Sequence, residues 1–586
     1  RKLKQFHNYL SKLRFFDPAC GCGNFLIITY RELRLLEITI LKQLRKLSGL
    51  DSHQLVTDVT LLSQIDVDSM YGIELEEFPA RIAEVALWLV DHQMNMLLSE
   101  EFGKSYVRLP LKKSAKIKHG NALIIDWEDF ISKPSNLDRT FLYILGNPPF
   151  VGKKARSVSQ NKDMDLVCGK DVPNYGVLDY VCNWYIKATK YIKGSLVQAA
   201  FVSTNSITQG EQVGILWEYL FTKRIQINFA HRTFRWSNEA RGRAAVYCVI
   251  IGFATFAKSI KYLYDYETPD SNPMEIVSKN INPYLIDSEN LLIKSRNTPL
   301  CDVPELSFGS MPNDSGYLLF TNEEKRLFIK KEPGAVEFIK PLISAHDYLH
   351  GEKRWCLWLA DASPAEIRSL PEVKKRVESV RNYRLSSKRE ATQKLADFPA
   401  RFGEIRQPNS NYVLIPLHSS ENRKYIPMAF FDKDHIANNS CATLANATLY
   451  HFGVLSSAMH LAWTRQICGR LEGRYRYSNN IVYNNFIWPE EVTSGQKRQI
   501  EKAAQEVLNI RAEFSDSNLA DLYDPNTMPK ALVVAHKDLD ASVDSCYRVK
   551  PFASELERLQ FLFGLYRKYT SPLLGKIKKK GKRTGK

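Results

Sequence analysis

The sequence predicts an α/β protein whose first part is a mostly parallel sheet with helices on both faces, followed by a mixed α+β region and a helical one. Three observations carry this. Up to about residue 270, short apolar runs alternate with segments of helical apolar spacing, the pattern of strands joined by crossover helices. From about 275 to 490 the chain is rich in Pro and Asn, dense in Arg, Tyr and Trp, and broken into short strand-like pieces. After Pro489-Glu490-Glu491 the spacing turns helical. The domains expected are therefore 1–270, 275–490 and 495–575, with a disordered lysine-rich arm at 576–586.

In the first zone the strand candidates are Phe15-Phe16, Met70 to Ile73, Ile117 to His119, Phe141 to Leu145, Leu196 to Val202, Ile225 to Phe229 and Val246 to Phe253. Between them, Phe25 to Leu47, Phe78 to Met96 and Tyr180 to Ile192 read as helices. In the second zone a lone helical stretch, Pro364 to Leu395, alternates acidic and basic residues and reads as a solvated or backbone-facing helix. Helices are expected again at Lys497 to Phe514, Leu532 to Tyr547 and Ala553 to Tyr569.

At 586 residues the chain is too long for one core. Its 44% apolar and 25% charged residues are those of a globular protein, but a net charge of +17 points to a polyanionic partner such as nucleic acid. No apolar run reaches the roughly 18 residues of a membrane span, and the opening Arg-Lys-Leu-Lys is not a signal peptide. Ten cysteines, scattered singly apart from Cys20 and Cys22, are the usage of a reduced compartment, so a cytoplasmic protein is expected. The first residue is not Met and a motif follows closely, so the beginning of a longer protein is expected to be missing.

Phe15-Phe16-Asp17-Pro18-Ala19-Cys20-Gly21-Cys22-Gly23-Asn24-Phe25 reads as a strand, a turn and the start of a helix. Glycines at 21 and 23 allow a sharp turn and a close backbone approach to a ligand. Gly-x-Gly alone is common in ordinary turns; the flanking Asp-Pro-Ala-Cys and Asn-Phe make the string specific. It resembles the first motif of class I S-adenosylmethionine methyltransferases, which implies a Rossmann-like fold and S-adenosyl-L-methionine as cofactor, with Asp17, Pro18, Ala19, Gly21, Gly23, Asn24 and Phe25 around it. A dinucleotide fingerprint would need a third glycine where Phe25-Leu26 stand. Met70 to Glu74 is a strand ending in a carboxylate able to accept both ribose hydroxyls, which makes Glu74 the choice over Glu76 and Glu77. The resemblance places the cofactor's adenine at Asn121 and Ala122 in His119-Gly120-Asn121-Ala122-Leu123, with Asp126 as the alternative contact.

Phe141 to Leu145 leads into Gly146-Asn147-Pro148-Pro149-Phe150. The Asn147 amide oxygen and the Pro148 carbonyl form a pair of acceptors that can hold the hydrogens of a conjugated amine and turn its lone pair toward an electrophile. Pro148 and Pro149 lock the turn, so little orientation remains to be fixed. Phe150 offers a face on which an extruded base can stack. Neither a metal nor a covalent enzyme intermediate is required. Farther on, Phe234, with Trp236 as second choice, is expected to pack on the other side of such a base, and Arg241-Gly242-Arg243 suits a phosphate-facing loop.

The order of these motifs resembles that of gamma-class N6-adenine DNA methyltransferases and, more narrowly, the MmeI-like single-chain restriction-modification enzymes (types IIL and IIG). The narrower likeness rests on the loop at 17–25, the string at 146–150, Cys468-Gly-Arg-Leu-Glu-Gly-Arg-Tyr-Arg-Tyr-Ser478, and Tyr483-Asn-Asn-Phe-Ile-Trp-Pro489. It implies site-specific methylation of adenine in double-stranded DNA, with base contacts near Arg470, Glu472, Arg474, Tyr475, Arg476 and Tyr477. It also implies an endonuclease segment or separate restriction subunit, absent from this sequence. The nearest Pro-Asp…Glu-x-Lys pattern, Pro269-Asp270 with Glu275, fails because Lys279 is displaced. Without an upstream segment, Phe6 and Tyr9 are left to cover the methionine end of the cofactor. The alternatives are an RNA or protein amino-methyltransferase with the same motifs, and an inactive DNA-binding remnant.

Overall fold

The computed structural model describes residues 1–48, 62–103, 114–134, 140–236, 246–471 and 473–570. Two compact units divide the chain, Arg1–Leu292 and Ile293–Lys586.

The first unit is built on a nine-stranded sheet. Its strands are β1 (Leu13–Asp17), β2 (Met70–Glu74), β3 (Lys116–His119), β4 (Phe141–Gly146), β5 (Gln198–Thr204), β6 (Gln226–Trp236), β7 (Val246–Ala254), β8 (Lys261–Asp265) and β9 (Met274–Ser278). They lie in the order β3-β2-β1-β4-β5-β7-β6-β8-β9. Pairing is parallel from β3 through β5, and β7 runs antiparallel to both β5 and β6. All seven expected strands are present. The sheet gains β8 beside β6 and continues past residue 270 in β9, and Ile281 still bridges to Ile227.

The helices are α1 (Lys2–Leu10), α2 (Asn24–Leu47), α3 (Glu77–Phe102), α4 (Trp127–Phe130), α5 (Val158–Cys168), α6 (Cys182–Ile192) and α7 (Gly210–Thr222). One core joins α2 and α3 to the sheet through Leu26, Tyr30, Ile40, Met70, Ala83 and Leu87. Its polar centre is Arg34, which donates to Asp91 Oδ1 at 3.0 Å and to Asn95 Oδ1 at 2.7 Å. A buried charge is tolerable only when held this way.

The second unit holds two four-stranded sheets and one three-stranded sheet, followed by the helices Ser494–Glu513, Lys530–Tyr547 and Glu555–Thr570. The stretch from Pro364 to Leu395 is not one solvated helix. It is cut into Pro364–Ser369, Pro371–Leu385 and Glu390–Lys394; the first break falls where the residue before a proline is pushed out of helical geometry and Leu370 is extended. Val373, Val377 and Val380 bury one face of the middle piece in a core with Phe320, Leu342 and Leu357. Nor is that stretch the lone helical one of its zone: Asn322–Lys331, Leu449–Ser456 and Ala458–Ile467 are helices too.

Arg384, fully buried on that middle helix, spends its whole guanidinium on backbone carbonyls. Nε donates to Asn313, Nη1 to Leu395 and Phe398, and Nη2 to Pro312 and Arg401, at 2.8–3.0 Å. Removing it would leave buried carbonyls unpaired. Arg384→Met is expected to cost about 3 kcal/mol or more, and Arg384→Lys to recover little, since an ammonium has only three donors. Urea denaturation measures this, and an unchanged midpoint would contradict it.

Candidate active site

The sheet reverses its direction of progression between β1 and β4, and ligands of such sheets bind outside the carboxyl ends at that point. Here the carboxyl ends present the turn after β1, the acidic end of β2, the turn after β3 and the Asn-Pro-Pro-Phe turn after β4.

The first turn is tightly built. Gly21 and Gly23 both have positive φ, and Gly23 lies so close to α3 that a Cβ there would be 3.0 Å from that of Ala83. The Cys20 amide donates to Ile73 O at 3.1 Å, and Trp184 Nε1 on α6 donates to Pro18 O at 3.1 Å. Pro18 is buried and Ala19 half-buried, while Asn24 and Phe25 open α2 with Asn24 exposed. Glu74 accepts from the amides of Gly21 (2.8 Å) and Glu76 (3.0 Å), which fixes its carboxylate beside the loop. Leu75, next to it, is an apolar residue left 59% exposed. Nothing in the sequence singled it out.

Asp17 ends β1 and is 1% exposed. Its Oδ1 accepts from the Ala19 amide at 3.0 Å. Burial pushes its carboxyl up to about 7, with the Ala19 hydrogen bond opposing and Glu74 adding to the rise. Gly146, at the end of β4, packs directly on this group: a Cβ at 146 would meet Asp17 Oδ1 at 2.5 Å.

After β3, the Gly120 amide donates to Glu74 O at 2.8 Å. Asn121 Oδ1 accepts from the Leu123 amide (2.9 Å), and Nδ2 donates to Asp163 Oδ1 on α5 (3.1 Å). Ala122 is buried, its carbonyl accepting from Trp127 Nε1. Lys187 on α6 donates to the carbonyls of Leu123 and Ile125 at 2.7 and 2.5 Å, and burial lowers its ammonium to about 8. Asp126 caps α4 by accepting from the Glu128 amide, so its carboxylate serves the backbone.

Beyond β4, Asn147 Oδ1 is buried and has no hydrogen-bond partner among the described residues. A buried acceptor without a donor is costly and calls for an explanation. Pro148 is buried, Pro149 exposed and Phe150 half-buried. The loop behind is anchored: the Tyr180 amide donates to Val151 O at 2.9 Å, and Asp179 receives Ser206 Oγ at 2.5 Å.

Three expected neighbours lie elsewhere. Tyr9 on α1 packs against Phe141 at 4.9 Å between ring centres, with Phe6 beside it. Phe141 begins β4, so these rings sit at the amino end of the strand, roughly 20 Å from Asn147 at 3.3 Å per residue. They do not cover the glycine turn after β1. Phe234 is within β6 rather than after its strand, stacked on Tyr266 at 5.5 Å. It shares the carboxyl edge with Asn147 but is three strands away, roughly 14 Å sideways. An aromatic cluster with His231 and Trp236 holds it instead. The loop containing Arg241, Gly242 and Arg243, residue Glu472, and the arm at 576–586 lie outside the described residues.

In the second unit the Arg/Tyr string forms a hairpin, Gly469–Leu471 with Arg474–Arg476, flanked by His418–Ser419. Side chains alternate along a strand. Tyr475 and Tyr477 therefore point inward: both are buried, and the Tyr477 hydroxyl meets His460 Nε2 at 2.8 Å. These two rings cannot reach DNA as expected. Arg470 lies over the Tyr475 ring at 4.0 Å and donates to the carbonyls of Gly473 and Arg465, so it braces the hairpin. Arg474 and Arg476 face outward.

Family models describing the MmeI DNA-methyltransferase domain, target recognition domain and C-terminal domain match residues 1–265, 287–490 and 492–574. The solved structure of the Type IIL restriction-modification enzyme MmeI in complex with DNA superposes with a TM-score of 0.85 at 47% identity, over 97% of this chain and 74% of that one. The chain belongs to the MmeI family. DNA methyltransferase A of Bacillus subtilis (strain 168) is 42% identical over 572 residues, and this chain spans 97% of itself and 63% of that relative. A putative type II restriction enzyme and methyltransferase of Methanocaldococcus jannaschii is 29% identical over 127 residues, covering 22% of this chain and 10% of that protein. Among the described residues, no helix of this MmeI-family chain is long and apolar enough to cross a membrane.

The raised Asp17 pKa has a signed consequence. An unfolded chain releases this proton near 3.8 and the folded one near 7, so stability from this group is full below the lower value and is lost as pH rises toward the upper. Asp17→Asn is expected to remove that slope. Denaturation midpoints of wild type should fall relative to the variant between about pH 4 and 7, and parallel curves would contradict the assignment.

Proposed function

We propose that this chain transfers a methyl group from S-adenosyl-L-methionine to the N6 amine of an adenine extruded from duplex DNA. The observation that carries the reading is the buried, unpartnered Asn147 Oδ1 at the carboxyl end of β4. An exocyclic amine supplies the missing donor, and the Pro148 carbonyl can take its second hydrogen. The nitrogen lone pair, otherwise delocalised into the ring, is then directed toward the Asp17–Gly23 side of the edge.

The residues present suit the cofactor. Glu74 is a fixed carboxylate able to receive ribose hydroxyls, the positive-φ turn at Gly21 and Gly23 allows close backbone approach, and Leu75 offers an apolar surface beside them. When bound, S-adenosylmethionine supplies an electrophilic methyl group on a sulfonium. The rigid Pro148-Pro149 turn sets the angle at which the amine meets it, and rigid placement of this kind substitutes for orientation entropy. Phe150 stacks on the extruded base. Site recognition belongs to the second unit, where Arg474 and Arg476 supply outward charge.

Asn147→Ala should abolish methyl transfer while leaving DNA affinity within about twofold, since DNA affinity rests mostly on phosphate contacts and one hydrogen bond to the extruded base is a small share of it. Labelled S-adenosylmethionine with duplex DNA, RNA and a protein extract checks this: label is expected in DNA alone. Activity surviving in the variant, or label only in RNA or protein, would overturn the reading.

Arg474→Ala and Arg476→Ala should each weaken DNA binding and reduce its salt dependence by about one unit of slope. Tyr477→Phe should lower stability without changing the slope. Titrations at several salt concentrations measure both, and a slope altered only by Tyr477→Phe would reverse the inward–outward assignment.

A further inference from the structure

The turn after β3 is the expected seat of the cofactor's adenine, with Asn121 as its contact. The hydrogen bonds of Asn121 leave its neutral Oδ1 at most one lone pair for the adenine amine. Its Oδ1 is engaged by the Leu123 amide at 2.9 Å, and its Nδ2 by the Asp163 carboxylate at 3.1 Å. Each partner independently fixes which end of the amide is oxygen, because an N–H needs an acceptor and a carboxylate needs a donor. Asn121 is thus a bracket between its own turn and α5.

Asp163 is different. One oxygen takes Asn121 Nδ2, and the other takes the Tyr180 hydroxyl at 2.5 Å. A carboxylate offers about four acceptor sites, so two donors leave it unsaturated, and the residue is only partly buried. Its position is set from both sides, by Asn121 next to Gly120, whose amide holds Glu74 O, and by Tyr180, whose ring packs on Trp184 over the Pro18 carbonyl. Asp163 therefore faces the edge that carries Glu74 and the glycine turn. We propose that Asp163, on the helix following the catalytic turn, accepts the exocyclic amine of the cofactor's adenine and sets the preference for an adenosyl group. This rests on the cofactor reading above.

Calorimetry with S-adenosylhomocysteine and with S-inosylhomocysteine, in which an oxygen replaces the amine, tests it without catalysis. Wild type should prefer the adenosyl ligand by about tenfold or more, because a carbonyl oxygen facing a carboxylate is repelled and an unpaired polar group is costly. Asp163→Ala should lose most of that preference through weaker adenosyl binding, and Asp163→Asn should shift it toward the inosyl ligand. Asn121→Ala, which removes only the bracket, should weaken both ligands and keep the preference. Equal weakening of both ligands by the Asp163 variants, or an unchanged preference, would overturn the assignment alone. Wild type binding neither ligand would overturn the cofactor reading and the assignment with it.

Discussion

The site depends on the direct contact between two parallel strands, β1 and β4, at the point where the sheet reverses its order. Gly146 lies against the Asp17 carboxylate so closely that no side chain fits between them. Neighbouring strands are about 4.8 Å apart, so the end of one strand and the end of the other are fixed relative to each other by backbone hydrogen bonds. Asp17 leads into the glycine turn and Gly146 into the Asn-Pro-Pro-Phe turn. Under the proposed reading, a contact of this kind sets the spacing between cofactor and amine before either arrives, which is what preorganisation requires. Burying the Asp17 carboxyl is the cost, visible in its raised pKa.

Most of the first unit was legible because central parallel strands are buried on both faces and read as continuous apolar runs, such as Met70 to Ile73. What escaped reading obeys other rules. Helix α5, Val-Ser-Gln-Asn-Lys-Asp-Met-Asp-Leu-Val-Cys, has little apolar periodicity and is held by a capping box from Ser157 to Gln160. Strands β8 and β9 are short and of mixed polarity, with β9 at the sheet edge, and they flank the boundary expected at 270–275. Pro371 marked a break that the charge alternation of 364–395 obscured, although the spacing of Val373, Val377 and Val380 carried the buried face.

The chemical residues divide in the same way. Asp17, Glu74 and Asn147 stand at strand ends within recognisable strings, so position and identity were both readable. Asp163 was not, because its proposed role comes from what lies beside it in space: it meets a residue 42 positions earlier. In the second unit, Arg-Tyr-Arg-Tyr at 474–477 looked uniformly suited to DNA. The alternation of a strand separates it into an outward charged pair and an inward aromatic pair. The downstream string proves equally structural, since Tyr483, Asn484 and Asn485 donate to the carbonyls of Pro304, Arg296 and Lys294.

The central claim is that the edge formed by Asp17, Glu74 and Asn147 methylates the amine of adenine in DNA. Nucleoside analysis of duplex DNA incubated with the chain and labelled S-adenosylmethionine tests it most directly. The account predicts label in N6-methyladenine. Label in a cytosine derivative, with none in adenine, would contradict it.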